Sequence, residues 1–144
     1  MQTQKMWEWI PRGLIGFVFI FNVQCGLVFI LSPQTYVGGF ELSGPPGEAV
    51  VRGLGILFLM WNVPYAFALW QPYRNRHSLI EAVIMQAIGW TGETAIYASL
   101  EAGHAVAQQT LLRFIVFDGT GLIALLAAAW LVRRRLTEQP LTGN

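Results

Sequence analysis

Four evenly spaced apolar stretches dominate this sequence: Pro11 to Leu31, Ala49 to Trp70, Leu79 to Leu100 and Thr110 to Val132. A helix of about 20 mainly apolar residues crosses the ~30 Å hydrocarbon core of a bilayer, and each stretch meets that length. Charged residues make up 12% of the chain and hydrophobic ones 54%, whereas an ordinary soluble domain carries about 25% charged residues. A chain of 144 residues coated so thinly with charge would show water large apolar patches. Alternation of the strand type is absent, and a membrane barrel needs about eight strands. The expected fold is all-α: residues 1–144 form a single domain, an integral membrane four-helix bundle.

The ends of the stretches carry matching chemistry. Pro45-Pro46-Gly47-Glu48 offers the second helix a fixed entry and a first-turn carboxylate. Gln71-Pro72 ends it. Ser78 and Glu81 have capping-box spacing at the start of the third helix. Arg133, Arg134 and Arg135 close the fourth, where cations suit the helix dipole and lipid headgroups.

Basic residues gather on the cytoplasmic side of membrane proteins. Lys5, Arg12, Arg74, Arg76 and the Arg133 to Arg135 run all fall on one side of a four-pass topology, together with Trp7, Trp9, Trp70 and Trp130 as an aromatic belt. Both termini are therefore expected in the cytoplasm, with the chain multi-pass in a bacterial inner membrane. The first apolar stretch lacks a small-residue cleavage site and exceeds a signal-peptide core, so it reads as a permanent span. The Gly- and Pro-rich segment from Ser32 to Glu48, with Tyr36, Phe40 and Leu42 interleaved, is either an interfacial lid or a plain linker.

Ionisable groups inside a span need a partner or a purpose, because a charge near the bilayer centre costs on the order of 3 kcal/mol. At a rise of 1.5 Å per residue, Asp118 lies about 12 Å and Glu93 about 10 Å inside the outer ends of their helices. Arg52, Arg113 and Gln24 occupy the same outer half. The economical arrangement pairs Arg52 and Arg113 with Glu93 and Asp118. Such a network could serve only helix register, or it could line an outward-facing polar pocket. Gln86, Trp90, Glu93 and Tyr97 share one face of the third helix, and Trp61, Asn62 and Tyr65 give the second helix a polar-aromatic region. Of Asn22 and Gln24, which point about 200° apart on the first helix, depth favours Gln24 as the inward residue. Pro64 frees the Met60 carbonyl, which Asn62 or a neighbouring helix could satisfy. Small residues at Gly13 and Gly16, Gly89 and Gly92, and Gly119 and Gly121 allow close helix packing or self-association.

Several classes are excluded. A net charge of +1 does not suit a nucleic-acid binder. His77 and His104 fall in loops on opposite sides, which leaves no haem ligands within the spans. No metal motif, Walker pattern or dinucleotide fingerprint is present, and a single cysteine, Cys25, permits neither an internal disulfide nor a CxxC pair. No cofactor is identified, although a bound lipid or quinone is compatible with the pocket.

The four-helix layout, with Arg-Gly-Leu-Gly at Arg52 to Gly55 and Arg-Phe-x-x-x-Asp-Gly at Arg113 to Gly119, resembles the small DoxX-like bacterial membrane proteins. Some members of that group are linked to quinone or thiol oxidoreductase systems; the resemblance implies the fold and carries over no catalytic residue. A sterol-isomerase or sigma-receptor type bundle is a second likeness of layout, without a shared motif. The expected function is binding of a small hydrophobic or amphipathic ligand, a lipid, isoprenoid or quinone, in the pocket anchored by Glu93 and Asp118. Two alternatives stand beside it. One is a non-catalytic accessory subunit that packs against partner membrane proteins or its own copies; the other is a membrane enzyme that uses Glu93 or Asp118 as acid or base on an isoprenoid or quinone.

Overall fold

A computed structural model describes residues 2–138, with side chains from residue 9 onward; the side chains of Lys5 and Trp7 lie outside the described residues. Four long helices, α1 (Gln2–Leu31), α3 (Gly44–Trp70), α4 (Arg76–Ser99) and α5 (Ala105–Glu138), are joined by short connections, with a single-turn helix α2 (Gln34–Val37) between the first two. Strands are absent among the described residues. Each long helix packs against two others, in the cyclic order α1, α3, α4, α5. Sequential antiparallel neighbours follow from the short loops.

Three segments are long and apolar enough to cross a membrane: Trp9–Leu31 of α1, all of α3 and all of α5. The most polar stretch, now α4, is not among them. It carries Glu81, Gln86, Thr91, Glu93 and Thr94 within its 24 residues, which dilutes its apolar character.

Other expectations are corrected at the helix ends. Helix α3 starts at Gly44, ahead of the Pro-Pro pair, so no acid stands in its first turn. Glu48 instead faces Arg52 one turn on, at 3.7 Å. Helix α4 starts at Arg76 after Asn75, without a side-chain cap, so Ser78 lies inside the helix and the capping box is not formed. Asn75 serves the preceding helix by donating its amide to the Phe67 carbonyl at 2.8 Å. Helix α5 continues past the three arginines to Glu138.

The interior is layered. At the end that carries the termini, Ile15, Val18, Tyr65, Ala68, Leu79 and Leu125 belong to one apolar cluster. At the opposite end, Phe29, Val37 and Val51 form a second, with Phe40, Phe58 and Phe114 packed on it. The segment between α1 and α3 supplies Val37 and Phe40, so it is a folded cover over this end of the bundle. Helix α4 contributes to the first cluster through Leu79 and Ala82 but has no residue in the second. Beyond the polar layer it stands away from its neighbours, and Thr94 to Ser99 are exposed in succession. A helix packed along one face would bury every third or fourth residue.

Backbone contact holds α1 to α3. A Cβ at Gly55 would lie 2.6 Å from the Gly26 carbonyl oxygen, so only a hydrogen fits at this crossing.

Candidate functional site

Between the two apolar clusters each long helix turns one polar side chain inward: Asn22 from α1, Asn62 from α3, Gln86 from α4 and Asp118 from α5, with exposures of 6, 3, 4 and 9%. At neighbouring levels the large apolar side chains Ile20, Met60, Ile88 and Ile123, again one per helix, are mostly exposed. The bundle is thus polar inside and apolar outside at its middle.

Gln86 is the hub. Its Oε1 accepts the Tyr65 hydroxyl proton at 2.6 Å, and its Nε2 donates to Asp118 Oδ1 at 2.9 Å. The same hydroxyl lies 3.1 Å from the Ala82 carbonyl. Small residues admit this chain of contacts. A Cβ at Gly89 would come within 2.7 Å of Asp118 Oδ2, and one at Gly121 within 2.8 Å of Gln86 Nε2. Glu93, two turns along α4 from Gln86, lines one cavity with Asp118.

Asn22, Asn62, Gln86, Glu93 and Asp118 line one cavity of about 30 Å³, with Trp61 among its walls. That is room for one or two water-sized groups. Three buried oxygens there meet no hydrogen-bond donor among the described residues: Asn22 Oδ1, Asn62 Oδ1 and Glu93 Oε2. The orientation of Asn62 is set by its amide nitrogen, which donates to the Phe58 carbonyl at 2.6 Å and so turns the oxygen away from its own helix. This bond goes to Phe58 and not to the Met60 carbonyl that Pro64 frees. An unsatisfied buried acceptor costs about 1–3 kcal/mol. Three such acceptors face this one cavity.

The sequence-derived residues divide. Asn62, Gln86, Glu93 and Asp118 converge, and Trp61 flanks them. Trp90 lies on the α4–α5 seam, its indole nitrogen 3.0 Å from where a Cβ of Gly119 would stand, while Tyr97 lies beyond the layer and is exposed. Gln24 is exposed and Asn22 takes the inward position, because helical phase, not depth, decides which of the two faces the bundle. The arginines do not pair with the buried acids. Arg52 joins Glu48 on its own helix, the nearer acid at i,i+4 spacing. Arg113 borders a separate cavity of about 300 Å³ with Phe29, Tyr36, Phe40, Thr110 and Phe114. Tyr65 was signalled by its place beside Asn62, but its bond to Gln86 depends on how α3 and α4 pack.

At the opposite end from the termini, the cover is tied to α5. Glu41, in a left-handed conformation with φ 55°, accepts from the Ala107 backbone N–H at 3.2 Å and meets His104 Nδ1 at 2.5 Å. The His104 contact, followed by the Ala107 N–H, holds the Glu41 carboxyl below its ordinary range. Sequence reasoning placed His104 in a loop and assigned it no partner.

Among the described residues no group of three His, Cys, Asp or Glu side chains could hold a metal ion. Cys25 is a free thiol packed beside the second apolar cluster. No protein-family model, curated relative or solved structure matches the chain.

Proposed function

We propose that this chain is a four-span bacterial inner-membrane protein, both termini cytoplasmic, that binds a small amphipathic ligand by a hydroxyl or amine head set in the polar layer. Three apolar helices of spanning length support the membrane placement, as does the reversal of polarity at the bundle's middle, which suits lipid as the solvent. The exposed Trp9, Trp70 and Trp130 sit at the terminal end with Arg12, Arg74, Arg76 and the Arg133 to Arg135 run, the distribution of a cytoplasmic interface. Helix α4 is the fourth span in this reading, inserted with its neighbours' help. Thr91, Thr94 and Ser99 return their hydroxyl protons to carbonyls of their own helix, and Glu93 faces the bundle's inner cavity. The resemblance to DoxX-like proteins enters as layout only.

The observation that carries the ligand reading is the convergence of three unanswered oxygens on one cavity. Acceptors call for a donor. A quinone presents carbonyl oxygens, which are acceptors too, so the site favours a quinol, an isoprenoid alcohol or a lipid amine. The cavity admits the head alone, and the tail leaves where α4 stands away from the second apolar cluster, past Trp61. The two carboxyls of Glu93 and Asp118 on the same cavity favour a second reading, an enzyme that moves a proton to or from the bound head; recovery of a chemically altered ligand would distinguish it.

The test is mass spectrometry of organic extracts from protein purified in mild detergent. A hydroxyl- or amine-bearing lipid should be retained in stoichiometric amount by the wild type and by Glu101→Gln, and lost from Glu93→Gln and Asn62→Leu. Equal retention in all four proteins, or an extract with no such lipid, refutes the reading.

A further inference from the structure

At the terminal end, on the outer surface of the α4–α5 pair, lies a second and larger cavity of about 640 Å³. Ile80 from α4 and Leu126, Ala129 and Leu136 from α5 give it apolar walls, and Arg76 and Arg133 stand at its border with Trp130. Of the other basic side chains at this end, Arg74 borders a separate cavity with Arg12 and Gln71, and three are engaged. Arg12 donates to the Trp70 carbonyl at 3.0 Å and lies over Trp9, Arg134 pairs with Glu138 at 2.7 Å and lies over Trp130, and Arg135 lies over Tyr73. Arg76 and Arg133 are exposed, and their guanidiniums have no ion pair, hydrogen bond or ring contact to the described residues.

Two unneutralised guanidiniums at one end of an apolar groove make an amphipathic negative image. Guanidiniums bind phosphate in forked geometry, and basic pockets between spanning helices on the cytoplasmic side take anionic headgroups. Trp130 adds an indole at headgroup level, where such rings concentrate. The groove is too long and too apolar for a free anion, which would leave its walls unused. We infer that this groove is a binding site for an anionic glycerophospholipid, its phosphodiester held by Arg76 and Arg133 and an acyl chain laid along Ile80, Leu126 and Ala129. The inference rests on the membrane placement proposed above but not on any ligand in the polar layer, from which the groove is separated by the terminal apolar cluster. The site tethers the C-terminal turns of α5 to the start of α4 through lipid, at the end where the described residues form no cover like that between α1 and α3.

The test uses the full chain in nanodiscs of phosphatidylcholine doped with phosphatidylglycerol, followed by native mass spectrometry of the lipid retained after detergent release. Three proteins are compared: wild type, Arg76→Gln/Arg133→Gln, and Arg74→Gln/Arg134→Gln, which removes the same charge from the same end outside the cation pair of the groove. The wild type should retain phosphatidylglycerol in preference to phosphatidylcholine. The groove variant should lose that preference by about thirtyfold, the effect of two cation–headgroup contacts, while the control variant keeps it. Equal loss in both variants would overturn the site in favour of a general basic rim. The absence of any preference in the wild type would also overturn it. Displacement of the lipid by glycerol phosphate at equal concentration would show that the apolar walls bind nothing, and would overturn the lipid assignment. A wild-type chain that enters no bilayer of any composition would refute the membrane placement itself, an outcome distinct from insertion without lipid preference.

Discussion

Replacing Asn22 by Leu gives the sharpest test of the polar layer, because the two states of the protein should respond with opposite signs. Asn22 is 6% exposed, its Oδ1 meets no donor, and it forms no hydrogen bond that a leucine of the same branched shape would break. In the ligand-free protein the change removes one unsatisfied buried acceptor, a penalty of about 1–3 kcal/mol in a water-referenced interior. Within a bilayer the unfolded reference also finds partners, so such contacts shrink to about 1 kcal/mol. Asn22→Leu should therefore stabilise the delipidated protein by about 1 kcal/mol, roughly fivefold in the folding equilibrium. In protein that retains its ligand the same change deletes a hydrogen bond to the head, and the sign reverses to a loss of similar size. Gains of stability at the expense of binding are the usual mark of a functional site. Asn62→Leu provides an internal calibration. It removes a second unanswered oxygen but also the 2.6 Å bond to the Phe58 carbonyl, so the two terms offset and the delipidated protein should change little. The assay is reversible unfolding by sodium dodecyl sulfate in mixed micelles, run on protein before and after exhaustive delipidation. Destabilisation of the delipidated Asn22→Leu protein by 1 kcal/mol or more would refute the reasoning, since it would mean that Asn22 supports the fold and is not held in reserve for a ligand.

Two further outcomes follow from the geometry. Gly55→Ala forces a Cβ to 2.6 Å from the Gly26 carbonyl oxygen, whereas Gly53→Ala meets nothing within 4 Å; the first should destabilise by about 1–3 kcal/mol and the second be neutral or stabilising through helix propensity, as read in the same detergent titration. Because Glu41 is held below its unperturbed value of 4.5, its contribution to the strap on α5 is complete above that value and is lost as pH falls through the lower folded-state value; the protection of the Ala107 amide, taken relative to its intrinsic exchange rate at each pH, should therefore fall below about pH 4.5 in the wild type, and Glu41→Gln should lower it at neutral pH and abolish that acid dependence.

The features legible in the sequence were those set along a single helix. Gln86 and Glu93 share a face because they stand two turns apart, and from that face Gln86 bonds Asp118 and Glu93 lines the same cavity. The chain of four long helices could likewise be read from the apolar runs, since their lengths and breaks are local properties. What failed depended on rotation about a helix axis or on the choice between partners. Asn22 and Gln24 differ by only about 3 Å in depth, and it is the packing of α1 against α3 and α5 that turns the first inward. Arg52 was assigned to the buried acids by counting charges within the spans, yet Glu48 at i,i+4 is closer and partly hydrated, so pairing there avoids taking the guanidinium into the bundle. The Gly26–Gly55 crossing and the Glu41–His104 strap join residues from separate elements and have no local signature at all. The layer itself is intermediate. Each helix has an obvious polar residue in its apolar run, but four such residues make a site only when the helices bring them to one level, and the unanswered oxygens appear only once the hydrogen bonds among them have been made. The measure of function in this bundle is thus the remainder: Gln86 satisfies Tyr65 and Asp118 and could have closed the network, but Asn22, Asn62 and Glu93 still present acceptors to the cavity. A bundle selected for register alone would gain stability by losing them, and their presence is the physical argument that something with a proton to donate belongs between them.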